Sequence, residues 1–138
     1  MSFCSDSPKV LVADDNFLMR QTIVNVLMEM GIAAETANDG NETISLVIKA
    51  RQACEPFDIV LLDWMMPEIS GLDVLSYFRS RSEYYGTTFL MIMAECEHGN
   101  IMKALQAGAA GYLSKPMSEE EFKKKFLEIY ERIKNKLL

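Results

Sequence analysis

Three short apolar runs with abrupt C-terminal ends restrict what this chain can fold into. Lys9-Val10-Leu11-Val12-Ala13 stops at Asp14-Asp15, Phe57-Asp58-Ile59-Val60-Leu61-Leu62 stops at Asp63, and Phe89-Leu90-Met91-Ile92-Met93 forms the third. Runs this short are strand-length. Their near-continuous apolar character, without polar alternation, marks strands covered on both faces.

The segments between them carry helical periodicity. Met19, Ile23, Val26, Leu27 and Met30 recur at helical spacing, and Gly31 stands where a helix stop is expected. Ile32 to Ala37 reads as a weaker strand, and Asn38-Asp39-Gly40 as a turn. A second helix is expected from about Asn41 to Cys54, with Ile44, Val47 and Ile48 inward. Pro67 and Gly71 bracket a loop, and a helix from Gly71 to Arg79 follows. Another helix is expected from Glu97 to Ala107, ending at Gly108, and Gly111-Tyr112-Leu113 is a short final strand before Lys115-Pro116. The last helix opens with a capping box (Ser118, Glu121) and a hydrophobic staple (Met117, Phe122). Its apolar stripe is Phe122, Phe126, Ile129, Tyr130, Ile133 and Leu137. Its opposite face, dense in lysine and glutamate, reads as solvated.

The order is thus strand-helix, repeated through the chain. It predicts an α/β fold: a (βα)5 doubly wound parallel sheet with helices on both faces. Chemistry in such sheets gathers beyond the C-terminal ends of the strands.

Composition narrows the class. At 138 residues, 49% hydrophobic and 25% charged, the chain fits one globular domain. We expect a short polar leader over 1–8 and the domain over 9–138, with no separate output domain. A formal net charge of -6 argues against nucleic-acid binding. No apolar run approaches membrane-spanning length, and Met1 to Pro8 lacks the pattern of a signal peptide. Cys4, Cys54 and Cys96 form no CxxC pair and read as reduced thiols of a cytoplasmic protein. His98 is the only histidine, which excludes a histidine metal cluster; it reads as a surface loop residue.

Asp14, Asp15 and Asp63 all fall at predicted strand ends on the side where a site is expected. Converging carboxylates repel, and a hard divalent cation relieves that repulsion. An oxygen-only ligand set without His or Cys suits Mg2+. Lys115 follows another strand end and supplies a fixed positive charge. A carboxylate beside Mg2+ and a lysine is a competent phosphoryl acceptor.

The pattern Asp14-Asp15, Asp63-Trp64-Met65-Met66-Pro67, Gly111-Tyr112 and Lys115-Pro116 resembles the receiver domain of two-component response regulators. Asp-Trp-x-Met-Pro and Ala107-Gly108-Ala109-Ala110-Gly111-Tyr112 are most similar to the single-domain, CheY-like chemotaxis type. The resemblance spans Lys9 to the last helix and implies a flavodoxin-like sheet of strand order 2-1-3-4-5. It implies that Asp63 is the phosphoacceptor, Asp15 a direct Mg2+ ligand, and Asp14 its partner, often through water. Met65 stands where the family uses a backbone carbonyl as a metal ligand. Lys115 matches the lysine that contacts the phosphoryl group, Tyr112 the switch aromatic, and Lys115-Pro116 a junction that is cis in the family. A histidine kinase is the implied partner upstream. Downstream, a target protein is implied on the fourth helix, fifth strand and fifth helix. Such a domain is not a classical enzyme: it catalyses its own phosphorylation and autodephosphorylation.

One position departs from the family. The strand before the fourth helix normally ends in Thr or Ser, whose hydroxyl binds the phosphoryl group and couples it to the switch aromatic. Aligning Ala94-Glu95 puts Met93 there, while Thr87 and Thr88 lie too early to substitute. Met93 reads either as core filling or as a sign that the usual switch is altered. A degenerate receiver, docking partners without phosphorylation, is therefore the alternative function. A phosphohydrolase with an aspartyl nucleophile is disfavoured because Asp14 and Asp15 are adjacent rather than in DxD spacing. A flavin-binding protein is disfavoured because no Ser/Thr/Gly-rich phosphate loop follows the first strand.

Overall fold

The computed structural model describes residues 7–94, 99–115 and 117–137. Five parallel strands, β1 (Val10–Ala13), β2 (Ala34–Ala37), β3 (Ile59–Asp63), β4 (Thr88–Ala94) and β5 (Gly111–Lys115), form one sheet of order β2-β1-β3-β4-β5. Both the parallel sheet and the strand order match the expectation. The helices are α1 (Phe17–Glu29), α2 (Gly40–Gln52), α3 (Gly71–Arg79), α4 (Ile101–Gln106) and α5 (Glu119–Leu137).

Alternation along the strands divides the core into two layers. Leu11, Val60, Leu62, Phe89 and Met91 point to one face and pack with Val47 of α2, Val74, Leu75 and Phe78 of α3, and Ala104 of α4. Val10, Val12, Ile59, Leu61, Leu90 and Ile92 point to the other, against Ile23, Val26 and Leu27 of α1 and Phe122, Phe126 and Ile129 of α5. The central strands are solvent-free on both faces, which is why their sequence reads as an unbroken apolar run. Each fully buried Leu, Ile or Phe contributes about 1.5–3 kcal/mol of transfer free energy, so the sheet's centre is the rigid part on which the strand ends are held.

Register places those ends side by side. Ala13 pairs with Leu62, so Asp14 sits next to Asp63. Asp63 pairs with Ile92, and Ala94 with Lys115, which brings the lysine to the same edge of the sheet.

Several boundaries differ from the sequence reading, each for a local reason. Asn38-Asp39-Gly40 is a helix start rather than a free turn. The Asp39 side chain accepts the Glu42 N–H at 2.8 Å, and α2 begins at Gly40. That helix ends at Gln52, and Cys54 lies past it in the left-handed region at φ 63°. Its inward face is Thr43, Val47 and Ala50, with Ile44 and Ile48 only half-buried. Thr43 tolerates burial because its hydroxyl donates to the Asp39 carbonyl at 2.6 Å. β2 is shorter than expected, β4 longer, and β5 runs on to Lys115. A 3-10 turn at Ser82–Tyr84 was not anticipated.

The stop at Gly31 (φ 84°) and the span of α3 agree with expectation. So does the Ser118–Glu121 capping box, whose reciprocal bonds measure 2.8 and 3.1 Å. The expectations for Cys4, Cys96, His98, the Glu97 start of the fourth helix and the Lys115–Pro116 junction lie outside the described residues, as does the Leu137 side chain.

Candidate functional site

Asp14 follows β1 immediately, and Asn16 caps α1 two residues later, accepting the Met19 N–H at 2.9 Å. The acidic pair is therefore compressed into a tight turn between strand and helix. Asp14 is fully buried, whereas Asp15 is exposed. Three of the four polar groups of Asp14 are engaged. Its N–H donates to Ala37 O at 3.2 Å, its carbonyl accepts from Arg20 Nη1 at 2.7 Å, and its Oδ1 accepts from Asn16 N–H at 2.9 Å. The fourth group, Oδ2, is buried without a hydrogen-bond partner.

Asp63 is the last residue of β3 and is 4% exposed. Its Oδ1 accepts a bond from Lys115 Nζ at 3.2 Å and a long one from the Met65 N–H at 3.4 Å. Lys115 Nζ also lies 3.6 Å from the orphan Oδ2 of Asp14. The loop beyond is fixed on both sides. Trp64 N–H donates to Ile92 O at 2.9 Å, and Gly71 N–H donates to Trp64 O at 3.0 Å. Gly71 is required there, because a Cβ would collide with the Asp63 carbonyl and press on the Met91 methyl at 2.9 Å. Glu68, between them, takes a left-handed φ of 67°.

The sheet thus gathers Asp14, Asp15 and Asp63 so that one carboxylate oxygen from each lies within 4.8 Å of the others. Burial, and then the neighbouring Asp14 carboxylate, push the Asp63 pKa from 3.8 up to about 7, against the opposing pull of Lys115. One lysine does not neutralise this cluster. An all-oxygen donor set, an unpartnered buried carboxylate oxygen and an unrelieved acid pair are what a divalent cation would complete, so the residues fit Mg2+. Met65 carries an exposed side chain (63%) on the loop just past Asp63.

The remaining predicted site residues lie deeper in the sheet. Met93 has no accessible surface and belongs to the core layer under α3 and α4. Tyr112 is half-buried against the same layer, paired in register with Met91 and diagonal to Met93. Lys125 Nζ of α5 sits 5.8 Å above its ring. Thr87 cannot stand in for a hydroxyl at the site. It lies at the opposite end of β4, and its Oγ1 donates to Phe57 O at 2.8 Å. Sequence reasoning missed Asn16 and Arg20, which hold Asp14; only a cap-competent residue at the helix start hinted at the first.

The comparisons agree with this geometry. The family model for the response regulator receiver domain matches residues 10–127. Chemotaxis protein CheY-3 of Vibrio cholerae is 35% identical over 126 residues, covering 91% of this chain and 93% of that protein. Chemotaxis protein CheY of Pseudomonas aeruginosa is 32% identical over 126 residues, covering 91% and 98%. Among solved structures, chemotaxis response regulator CheY4 of Vibrio cholerae superposes with a TM-score of 0.79 at 32% identity, covering 89% of this chain and 98% of that one. A matched family model over nearly the whole described chain, relatives above 30% identity and the same sheet order converge: this chain belongs to the response regulator receiver domain family, with CheY-type chemotaxis proteins among its relatives.

Proposed function

We propose that the chain is a phosphorylatable receiver whose acceptor is Asp63, phosphorylated from the phosphohistidine of a partner kinase. The observation that carries this reading is the convergence of Asp63 with two further aspartates and Lys115 at one sheet edge. Asp15, Asp63 and the Met65 carbonyl would hold Mg2+, with Asp14 supporting. The cation supplies charge neutralisation to the transferring phosphoryl oxygens. Asp63 contributes the attacking carboxylate oxygen: its bond to phosphorus forms as the histidine nitrogen–phosphorus bond breaks, and the imidazole leaves with the electron pair. Lys115, already donating to Asp63 Oδ1, is placed to donate to the phosphoryl oxygens as charge accumulates there. Water later attacks the same phosphorus, the bond from phosphorus to the Asp63 oxygen breaks with the electron pair staying on the carboxylate, and inorganic phosphate leaves, so the domain resets itself without being a classical enzyme.

The phosphoryl group adds about 1.5 to 2 negative charges beside the sheet, and that charge biases an existing conformational equilibrium. The face we assign to the downstream target comprises α4, β5 and α5, where Met102 (62% exposed) and Leu105 (41%) stand out from α4 and Lys125 of α5 lies over the Tyr112 ring of β5. We place the protein in the cytoplasm with its kinase. Among the described residues no helix is long and apolar enough to cross a membrane.

Met93 favours a second reading. A fully buried thioether cannot donate the hydrogen bond that a hydroxyl gives to a phosphoryl oxygen, and such a bond to a charged group is worth roughly 1.5–3 kcal/mol. The proposed receiver therefore accepts phosphate but switches weakly, and in the limit acts as a binding module independent of phosphate. Labelling with a small-molecule acyl phosphate and Mg2+ separates these. Label on the parent that disappears in Asp63→Asn supports the acceptor; no label on the parent leaves the binding-module reading.

A further inference from the structure

Asp15 is the most exposed member of the acidic cluster, and among the described residues no hydrogen bond fixes its carboxylate. The peptide plane that precedes it carries the Asp14 carbonyl. Arg20 holds this carbonyl. Its Nη1 donates to Asp14 O at 2.7 Å from the first turn of α1, six residues away. The guanidinium is itself steadied by the Phe17 ring, whose centroid lies 5.5 Å away. With the carbonyl held by Arg20, the N–H by Ala37 and Oδ1 by Asn16, Asp14 has one polar atom without a hydrogen bond, the buried Oδ2, 3.6 Å from Lys115 Nζ.

We infer that Arg20 is a positioning residue for divalent-cation binding: it acts through the Asp14 carbonyl to keep the adjacent carboxylates converged with Asp63. The inference rests on the cation-binding reading of the cluster given above. Its sign is what makes it informative. Taken only as a charge, a guanidinium near three carboxylates repels a divalent cation, so removing it should tighten binding. Taken as a clamp on the turn, its removal should loosen binding, and losing a partner that orients metal ligands typically costs 10–100-fold in metal affinity.

The test titrates MgCl2 into metal-stripped protein at fixed ionic strength. The readouts are the fluorescence of Trp64, which is nearly buried and follows Asp63 directly, and titration calorimetry. We expect Arg20→Met to weaken Mg2+ binding about tenfold, and Arg20→Lys, whose ammonium can still donate to the carbonyl, to recover most of that loss. An unchanged or tighter constant in Arg20→Met overturns the inference, even if the variant melts at a lower temperature. That pattern would mean a purely structural or purely electrostatic side chain. If Arg20→Met does not fold, Arg20→Leu, which also lacks a donor, serves the same comparison. A parent protein silent to Mg2+ by both methods overturns the cation reading of the cluster, and the Arg20 proposal falls with it.

Discussion

The buried carboxylate of Asp63 should destabilise the metal-free fold, and the cost can be measured by replacing it. Its carboxyl has a pKa of about 7 in the folded chain against 3.8 as a free group, because burial and then Asp14 disfavour the charged form. For an acid raised in this way the linkage is inverted relative to a salt-bridged aspartate. Below pH 3.8 both states hold the proton and no penalty exists. Between 3.8 and about 7 the unfolded chain loses its proton first, so stability falls as pH rises. Above 7 the whole penalty is present. The raw shift corresponds to roughly 4 kcal/mol. The pull of Lys115 at 3.2 Å is already part of that balance, and solvent screening at the open edge of the cluster, where Asp15 is exposed, reduces the penalty, so about 2 kcal/mol is the expected net figure.

Asp63→Asn keeps the shape and removes the charge. In a chelating buffer at pH 8 it should be more stable than the parent by about 2 kcal/mol, which for a domain of this size is a rise of roughly 5–10 °C in Tm. The advantage should shrink measurably at pH 5, where the folded parent holds more of its proton than the unfolded chain does. Other titrations cancel because only the difference between the two proteins is used. Millimolar Mg2+ should then reverse the ranking, stabilising the parent and leaving Asp63→Asn nearly unmoved. Paired calorimetric melts at the two pH values, with and without Mg2+, decide it. A less stable Asp63→Asn at pH 8 without cation, or an advantage independent of pH, would refute the reasoning, because either result places the repulsion elsewhere.

Three further outcomes follow from the packing. Met93→Thr puts a smaller side chain and a hydroxyl into a fully buried position, and should cost about 2–3 kcal/mol in denaturant unfolding. The same variant should enlarge the spectral change on phosphorylation by one to two decades of active-state bias; equal changes in variant and parent would sink the weak-switch idea. Thr87→Val strands the Phe57 carbonyl and should cost about 1–2 kcal/mol without altering acyl-phosphate labelling, since this hydroxyl lies at the far end of β4. Gly71→Ala forces a Cβ onto the Asp63 carbonyl and should cost about 2–3 kcal/mol. Unlike Thr87→Val, it should also slow labelling, because the clash displaces the acceptor itself.

The contrast between Thr87 and Gly71 explains which parts of this fold the sequence exposes. Strands buried on both faces are legible because nothing polar is tolerated along them, and the first intolerable residue, Asp14 or Asp63, marks the edge. β5 extends two residues beyond its apolar run for the same reason. Ser114 and Lys115 are polar, yet they pair with Met93 and Ala94 at the sheet's border, where one side of the strand is free of a neighbouring strand. Thr43 was hidden because a hydroxyl that bonds its own helix's first turn can be buried like an alanine. Asp39 reads as a turn in sequence because turns and helix caps draw on the same residues for the same hydrogen bond.

The acidic cluster was legible and its supports were not, and the difference is chemical. Carboxylates must converge by type, so three aspartates at strand ends announce themselves. A bond from Arg20 to a backbone carbonyl six residues away requires nothing of the identity of residue 14, since every residue offers a carbonyl. The orphan Oδ2 of Asp14 is equally invisible in sequence, because it is defined by what the other three polar groups of that residue already do. Charge and position can therefore be varied separately here: Asp63→Asn removes charge at fixed geometry, and Arg20→Met should loosen geometry while keeping all three carboxylates in the chain. If cation affinity depends on the convergence of these groups and not merely on their number, both substitutions must weaken Mg2+ binding, while only the first stabilises the metal-free protein.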